Sequence, residues 1–113
     1  VSRTDAELLR EAKDHLGRLR AHLDRGGIDD DTVFDAVCMR LSAAIECVNS
    51  IDPGVRAAGW GVEWSAIWSV RNRIAHGYFW IDRTIIDATV AIDLPEFETI
   101  VDALLADLDP AAG

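Results

Sequence analysis

Apolar positions recur every three or four residues along most of the chain, the period of helices that each bury one face. From Thr4 to Arg25 the stripe is Leu8, Leu9, Ala12, Leu16, Leu19 and Leu23. Thr4 and Glu7 have capping-box spacing at its start, and Gly26-Gly27 ends it. A turn over Ile28 to Asp31 carries three consecutive acids, which suit the positive end of the next helix dipole. That second helix runs from Thr32 to Asn49 on Phe34, Val37, Leu41, Ala44, Ile45 and Val48. Asp52-Pro53 reads as a cap followed by a proline at a helix start, and Val55 to Gly61, short and glycine-bounded, as a turn of helix or a loop. A third long helix covers Val62 to His76, with Ile67, Val70, Arg71, Ile74 and Ala75 on one side, Trp64 and Trp68 beside them, and Gly77 as its stop. Phe79-Trp80-Ile81 is an aromatic link, and Asp82 caps a fourth helix over Arg83 to Ile92. Asp93 and Pro95 mark a break or kink before a last helix, Glu96 to Leu108, built on Phe97, Ile100, Val101, Leu104, Leu105 and Leu108. No segment alternates with period two over a useful length. The pattern predicts an all-α, up-and-down bundle of four to five helices.

The length of 113 residues fits one domain over residues 1–113, and an apolar fraction of 50% is enough for a core. The net charge of −9, from 11 basic and 20 acidic residues, argues against a protein that coats nucleic acid through a general basic surface. It argues equally against an anionic membrane surface as partner. The charge is unevenly placed, however. Arg56, Arg71, Arg73 and Arg83 against Glu63 and Asp82 give +2 between residues 56 and 83, leaving −11 elsewhere. No apolar run reaches the ~18 residues of a membrane span, and the first 25 residues are charged throughout, unlike a secretory signal. Cys38 and Cys47 would lie roughly 13 Å apart along one helix, too far to bridge. They read as buried thiols, and a cytoplasmic, reducing setting is expected.

Candidate chemistry falls in the positive island, at Arg71-Asn72-Arg73-Ile74-Ala75-His76-Gly77-Tyr78. Asn72 and His76 share a helix face, so Asn72 is placed to hold the imidazole in one tautomer or to touch a phosphate. Arg71 lies about 140° round the helix from His76. The two converge if the arginine wraps, or if a second copy of the helix packs antiparallel across a two-fold axis. Arginine neutralises phosphate charge and histidine moves a proton near neutral pH. Together they suit metal-independent RNA cleavage by the ribose 2′-OH. No set of Asp, Glu and His has convincing metal-ligand spacing. His15 and His22 fall on the polar side of the first helix and read as solvated. Tyr78 taken alone reads as a core-edge aromatic, and Trp60, Trp64, Trp68 and Trp80 as packing or interface groups.

The segment from Arg71 to Asp82 resembles the HEPN superfamily and, within it, the HepT-like toxin ribonucleases. Arg71, Asn72 and His76 fit the superfamily motif of arginine, a polar residue, three others and histidine, and Tyr78 completes the HepT-like Arg-x4-His-x-Tyr form. The helix order, Glu46 in the second helix, Trp64 before the motif helix and the break from Asp93 to Pro95 are also similar, so the likeness covers nearly the whole chain. The resemblance implies a HEPN bundle that forms a homodimer with both motifs in one cleft. It implies an endoribonuclease that needs no metal and no cofactor, and a nucleotidyltransferase-type antitoxin as partner. In such pairs the antitoxin transfers AMP to the motif tyrosine, here Tyr78. The roles it implies are phosphate and transition-state binding for Arg71, general base or acid for His76, and orientation for Asn72. Arg73 and Arg83 are added as auxiliary RNA contacts on charge and proximity alone. The alternative is a non-catalytic HEPN module that binds nucleotides or docks with a nucleotidyltransferase.

Overall fold

The structure, a computed structural model, describes residues 3–108. Its helices are α1 (Asp5–Arg25), α2 (Asp31–Asn49), α3 (Pro53–Trp60), α4 (Trp64–His76), α5 (Arg83–Ala88) and α6 (Leu94–Leu108), with no strand among the described residues. Short side chains set several of the starts. Thr4 Oγ1 accepts from Glu7 N at 3.1 Å, the first half of the expected capping box, and Glu7 returns its carboxylate to the Thr4 hydroxyl rather than to the Thr4 backbone N–H. Asp30, Asp52 and Asp82 each accept backbone N–H bonds at the first turns of α2, α3 and α5.

Cross-helix pairs give the topology. Asp5 accepts from Asp52 N while His15 meets Arg40, so α2 returns antiparallel to α1. Trp64 Nε1 donates to Asn49 Oδ1, Arg71 to Glu46 and Tyr78 to Asp35, so α4 runs antiparallel to α2. Arg20 pairs with Glu98 and Lys13 with Asp102, which sets α6 antiparallel to α1. The four long helices therefore alternate up and down, as their periodicity predicts. Leu9, Leu16, Leu19, Val37, Ile45, Val48, Ile86, Leu94 and Val101 fill the centre, each large side chain contributing about 1.5–3 kcal/mol by leaving water.

Two local expectations are sharpened. Of the two readings for Val55 to Gly61, a turn of helix or a loop, the structure has the helix: Val55 to Trp60 is the C-terminal part of α3, capped by Asp52 and begun by Pro53. It packs Trp60 against Phe97 at 5.2 Å between ring centroids, and a Cβ at Gly59 would come within 2.9 Å of Ile100 Cγ2. Close approach to α6 holds a helix that local propensity alone would not. Gly61, at φ +55, then turns the chain through a single 3-10 turn into α4. The break or kink expected at Asp93 and Pro95 takes the form of a π-helical turn over Thr89–Asp93, closed by Leu94 N to Thr89 O. The wider turn ends just before Pro95, which has no N–H to donate, and the chain stays helical from α5 into α6.

Cys38 and Cys47 are both free and buried. Burial, reinforced by the Asp35 charge, pushes the Cys38 thiol up to about 12, and burial raises Cys47 as well. No helix among the described residues is long and apolar enough to cross a membrane.

Candidate active site

α4 is the least covered long helix. Ile74 alone is buried on it, while Trp64, Ile67, Trp68 and Val70 are half-buried. An apolar cavity of about 290 Å³ opens beside it, with Ile67 and Val70 facing Leu94, Phe97 and Ile100 of α6. Trp64 meets Trp60 with tilted rings, 5.4 Å between centroids, and the Arg56 guanidinium sits 5.4 Å from the Trp64 ring centre.

Arg71 leaves α4 toward α2. Its Nε and Nη2 donate to Glu46 Oε1 at 2.9 and 2.6 Å, and its Nη1 donates to Asn72 Oδ1 at 3.2 Å. The guanidinium also lies 4.9 Å from the centre of the Trp68 ring. Its side chain keeps 22% exposure, so it is pre-oriented and partly accessible. Glu46 is thus the counter-ion that a bound phosphate would compete with. Asn72 is placed on Arg71, and no hydrogen bond joins it to His76 among the described residues. The carboxamide that spacing offered to the imidazole is used one residue back along the chain.

His76 is exposed in the last turn of α4, and Gly77 closes that turn through a bond from its N–H to Arg73 O. The ring is open to solvent rather than sealed beneath Trp80, which is 91% exposed. Arg73, one turn before, is exposed and has no ion pair among the described residues. Phe79 is 97% exposed beside Trp80, so among the described residues neither ring covers the core, while Ile81 packs against it.

Tyr78 turns the other way. Its Oη donates to Asp35 of α2, and its ring leans on Phe34 with centroids 6.2 Å apart. Burial first, then the Asp35 hydrogen bond and charge, push the phenol above its ordinary value. Arg83 is committed nearby. It donates to Ile28 O at 3.1 Å, pairs with Asp31 and lies 4.3 Å over the Phe34 ring. Its guanidinium clamps the α1–α2 turn to α5, which leaves Arg73 as the freer of the two auxiliary arginines. Glu46 and Asp31, both outside the positive stretch, thus offset two of its four arginines.

Sequence reasoning missed the acidic partners Asp35 and Asp31, and assigned Glu46 no role. Their only signal is tertiary: antiparallel pairing of α2 with α4 sets Glu46 opposite Arg71 and Asp35 opposite Tyr78. His15 also differs from its expected solvated state. It is half-buried with Nδ1 3.1 Å from Arg40 Nη1, and desolvation followed by the Arg40 charge lowers its pKa. Glu11, His15 and Cys47 bring ligand atoms within 4.8 Å of one another, a grouping the linear sequence hides. Arg3 pairs with Glu11 and Arg40 meets His15, so two guanidiniums already answer these groups. We read them as a polar seam between α1 and α2.

Comparison with known proteins gives a family. The family model described as Ribonuclease HepT-like matches residues 8–104, a span that includes Glu46, Arg71, His76 and Tyr78. Neither the search of curated proteins nor that of solved structures gives a match. With an all-α bundle, an exposed motif histidine and a family match over most of its length, the chain belongs to the HepT-like ribonuclease family.

Proposed function

We propose that the protein is the toxin of a toxin–antitoxin pair and cleaves RNA without a metal ion. The observation that carries this reading is the family match across the whole motif helix, together with the exposure of His76. His76 accepts the proton of a ribose 2′-OH as that oxygen attacks the adjacent phosphorus, and the 5′-oxygen leaves. Arg71 binds the phosphate and offsets the charge that grows on its oxygens. Asn72 steadies Arg71 through the 3.2 Å bond to its guanidinium, and Arg73 adds a flanking cation. Phe79, Trp80 and the open side of α4 support a homodimer, in which a second α4 would bring the other Arg71 and His76 into the same cleft. Neutralisation follows when a nucleotidyltransferase antitoxin transfers AMP from ATP to Tyr78.

The purified protein is expected to cut RNA in excess chelator. His76→Ala should lower the rate by about a hundredfold or more, the range of general acid–base catalysis, with an unchanged melting temperature. Cleavage by His76→Ala at the wild-type rate would remove His76 from the chemistry. A second reading, a non-catalytic module that docks with a nucleotidyltransferase, is favoured by the Glu46 carboxylate already seated on Arg71. RNA that binds without products, in chelator and in its absence, would select it.

A further inference from the structure

Tyr78 ties the link after α4 back to α2, and the tie has a chemical consequence. A neutral phenol is a weak nucleophile that must shed its proton as it attacks. Here the phenol oxygen donates its hydrogen bond to the Asp35 carboxylate, and both residues are open to solvent, Tyr78 at 40% exposure. The raised phenol pKa keeps the proton on Oη at neutral pH until an electrophile arrives. A carboxylate already bonded to that proton has the placement of a general base. Arg83, held by Ile28 O and Asp31, lies near enough for its charge to oppose that upward shift.

We propose that Asp35 is the general base that activates Tyr78 Oη toward the α-phosphate of a nucleoside triphosphate, the Asp35–Tyr78 pair forming the acceptor half of a nucleotidyl-transfer site. The proposal rests on the reading of Tyr78 as the modified residue and adds the group that prepares it. In the step, Tyr78 Oη forms a bond to the α-phosphorus. The bond from that phosphorus to the bridging oxygen breaks, and pyrophosphate leaves with the electron pair. The phenolic proton passes to Asp35 Oδ1 and from there to water. Afterwards the phosphodiester cannot donate to Asp35, and its charge stands against that carboxylate. The tie to α2 is broken by the same reaction that used it.

The test uses wild type, Tyr78→Phe and Asp35→Asn, each incubated with ATP and a minimal nucleotidyltransferase and followed by intact mass. A second arm, with no partner protein, labels Tyr78 with an aryl sulfonyl fluoride and reads the site by peptide mass. Asp35→Asn keeps the shape and an acceptor oxygen but is a far weaker base. It is expected to slow both reactions at Tyr78 by about a hundredfold, while its RNA cleavage and melting temperature stay at wild-type values. Equal AMP transfer to wild type and Asp35→Asn would overturn the base role and leave Tyr78 as acceptor. Slow AMP transfer with undiminished sulfonyl labelling would make Asp35 a contact for the transferase, which also overturns it. AMP gained equally by Tyr78→Phe, or not gained by wild type, would remove the Tyr78 reading and this proposal with it.

Discussion

The α1–α2 hairpin and α4 are written in the same apolar code, yet they bury it differently. On the hairpin, Leu8, Leu9, Leu16, Leu19, Val37, Leu41, Ile45 and Val48 are all buried. On α4 the equivalent stripe stays half-open, and only Ile74 is sealed. Polar groups divide in the same way: the hairpin face of Arg71 is fixed by Glu46, while Arg73 and His76 stand in solvent. The hairpin is scaffold, and α4 is a working edge that lends one side to it. In the proposed homodimer a second α4 covers this edge, which a single chain leaves open.

The largest test of this contrast is mechanical. Leu9→Ala, at a site with no exposure, should lower the unfolding free energy by about 3–4 kcal/mol. Val70→Ala, on the open side of α4, should cost less than about 1.5 kcal/mol in dilute protein, because the lost methyls were already half in water. Urea unfolding of both variants decides it. Equal costs would mean that α4 is as much a part of the core as the hairpin.

Smaller in stability but sharper in function is Glu46→Gln. The pair with Arg71 is half-exposed on the glutamate side, so its removal should cost under about 1 kcal/mol. The change frees Arg71 for phosphate, and the KM for RNA should fall about threefold, with a steeper salt dependence. A fall in kcat at unchanged KM would instead make Glu46 the group that aligns Arg71 for the transition state.

The scaffold was the legible part because its rules are local. Caps at Thr4, Asp52 and Asp82 and the three-four spacing of Leu8 to Leu23 depend on neighbours along the chain. α3 was only half legible, since its two internal glycines weaken the helical signal that contact with Ile100 and Phe97 restores. Asp93 and Pro95 read as a break or kink because a proline removes a donor, but sequence does not say that the irregularity will be a π turn within a continuous helical run. At the site, Arg71 and His76 were visible as residue types on one helix. Their partners were not, because Glu46, Asp35 and Asp31 lie 25, 43 and 52 residues from the groups they meet.

The smallest effect probes the hairpin by pH. His15 is held between α1 and α2, where desolvation and the nearby Arg40 depress its pKa, with Asp14 opposing the shift and Arg18 adding to it. Between the depressed native value and the ordinary value of an unfolded chain, the unfolded state binds more protons. Stability therefore rises with pH through that window and is lost as the medium is acidified below the unfolded value. His15→Gln retains an acceptor for Arg40 but does not titrate. The urea midpoint of wild type should drop more than that of His15→Gln between pH 7.5 and 5.5. Parallel midpoints would show that Arg40 swings away from a protonated His15, and the α1–α2 seam would then be as adaptable as the α4 edge it was contrasted with.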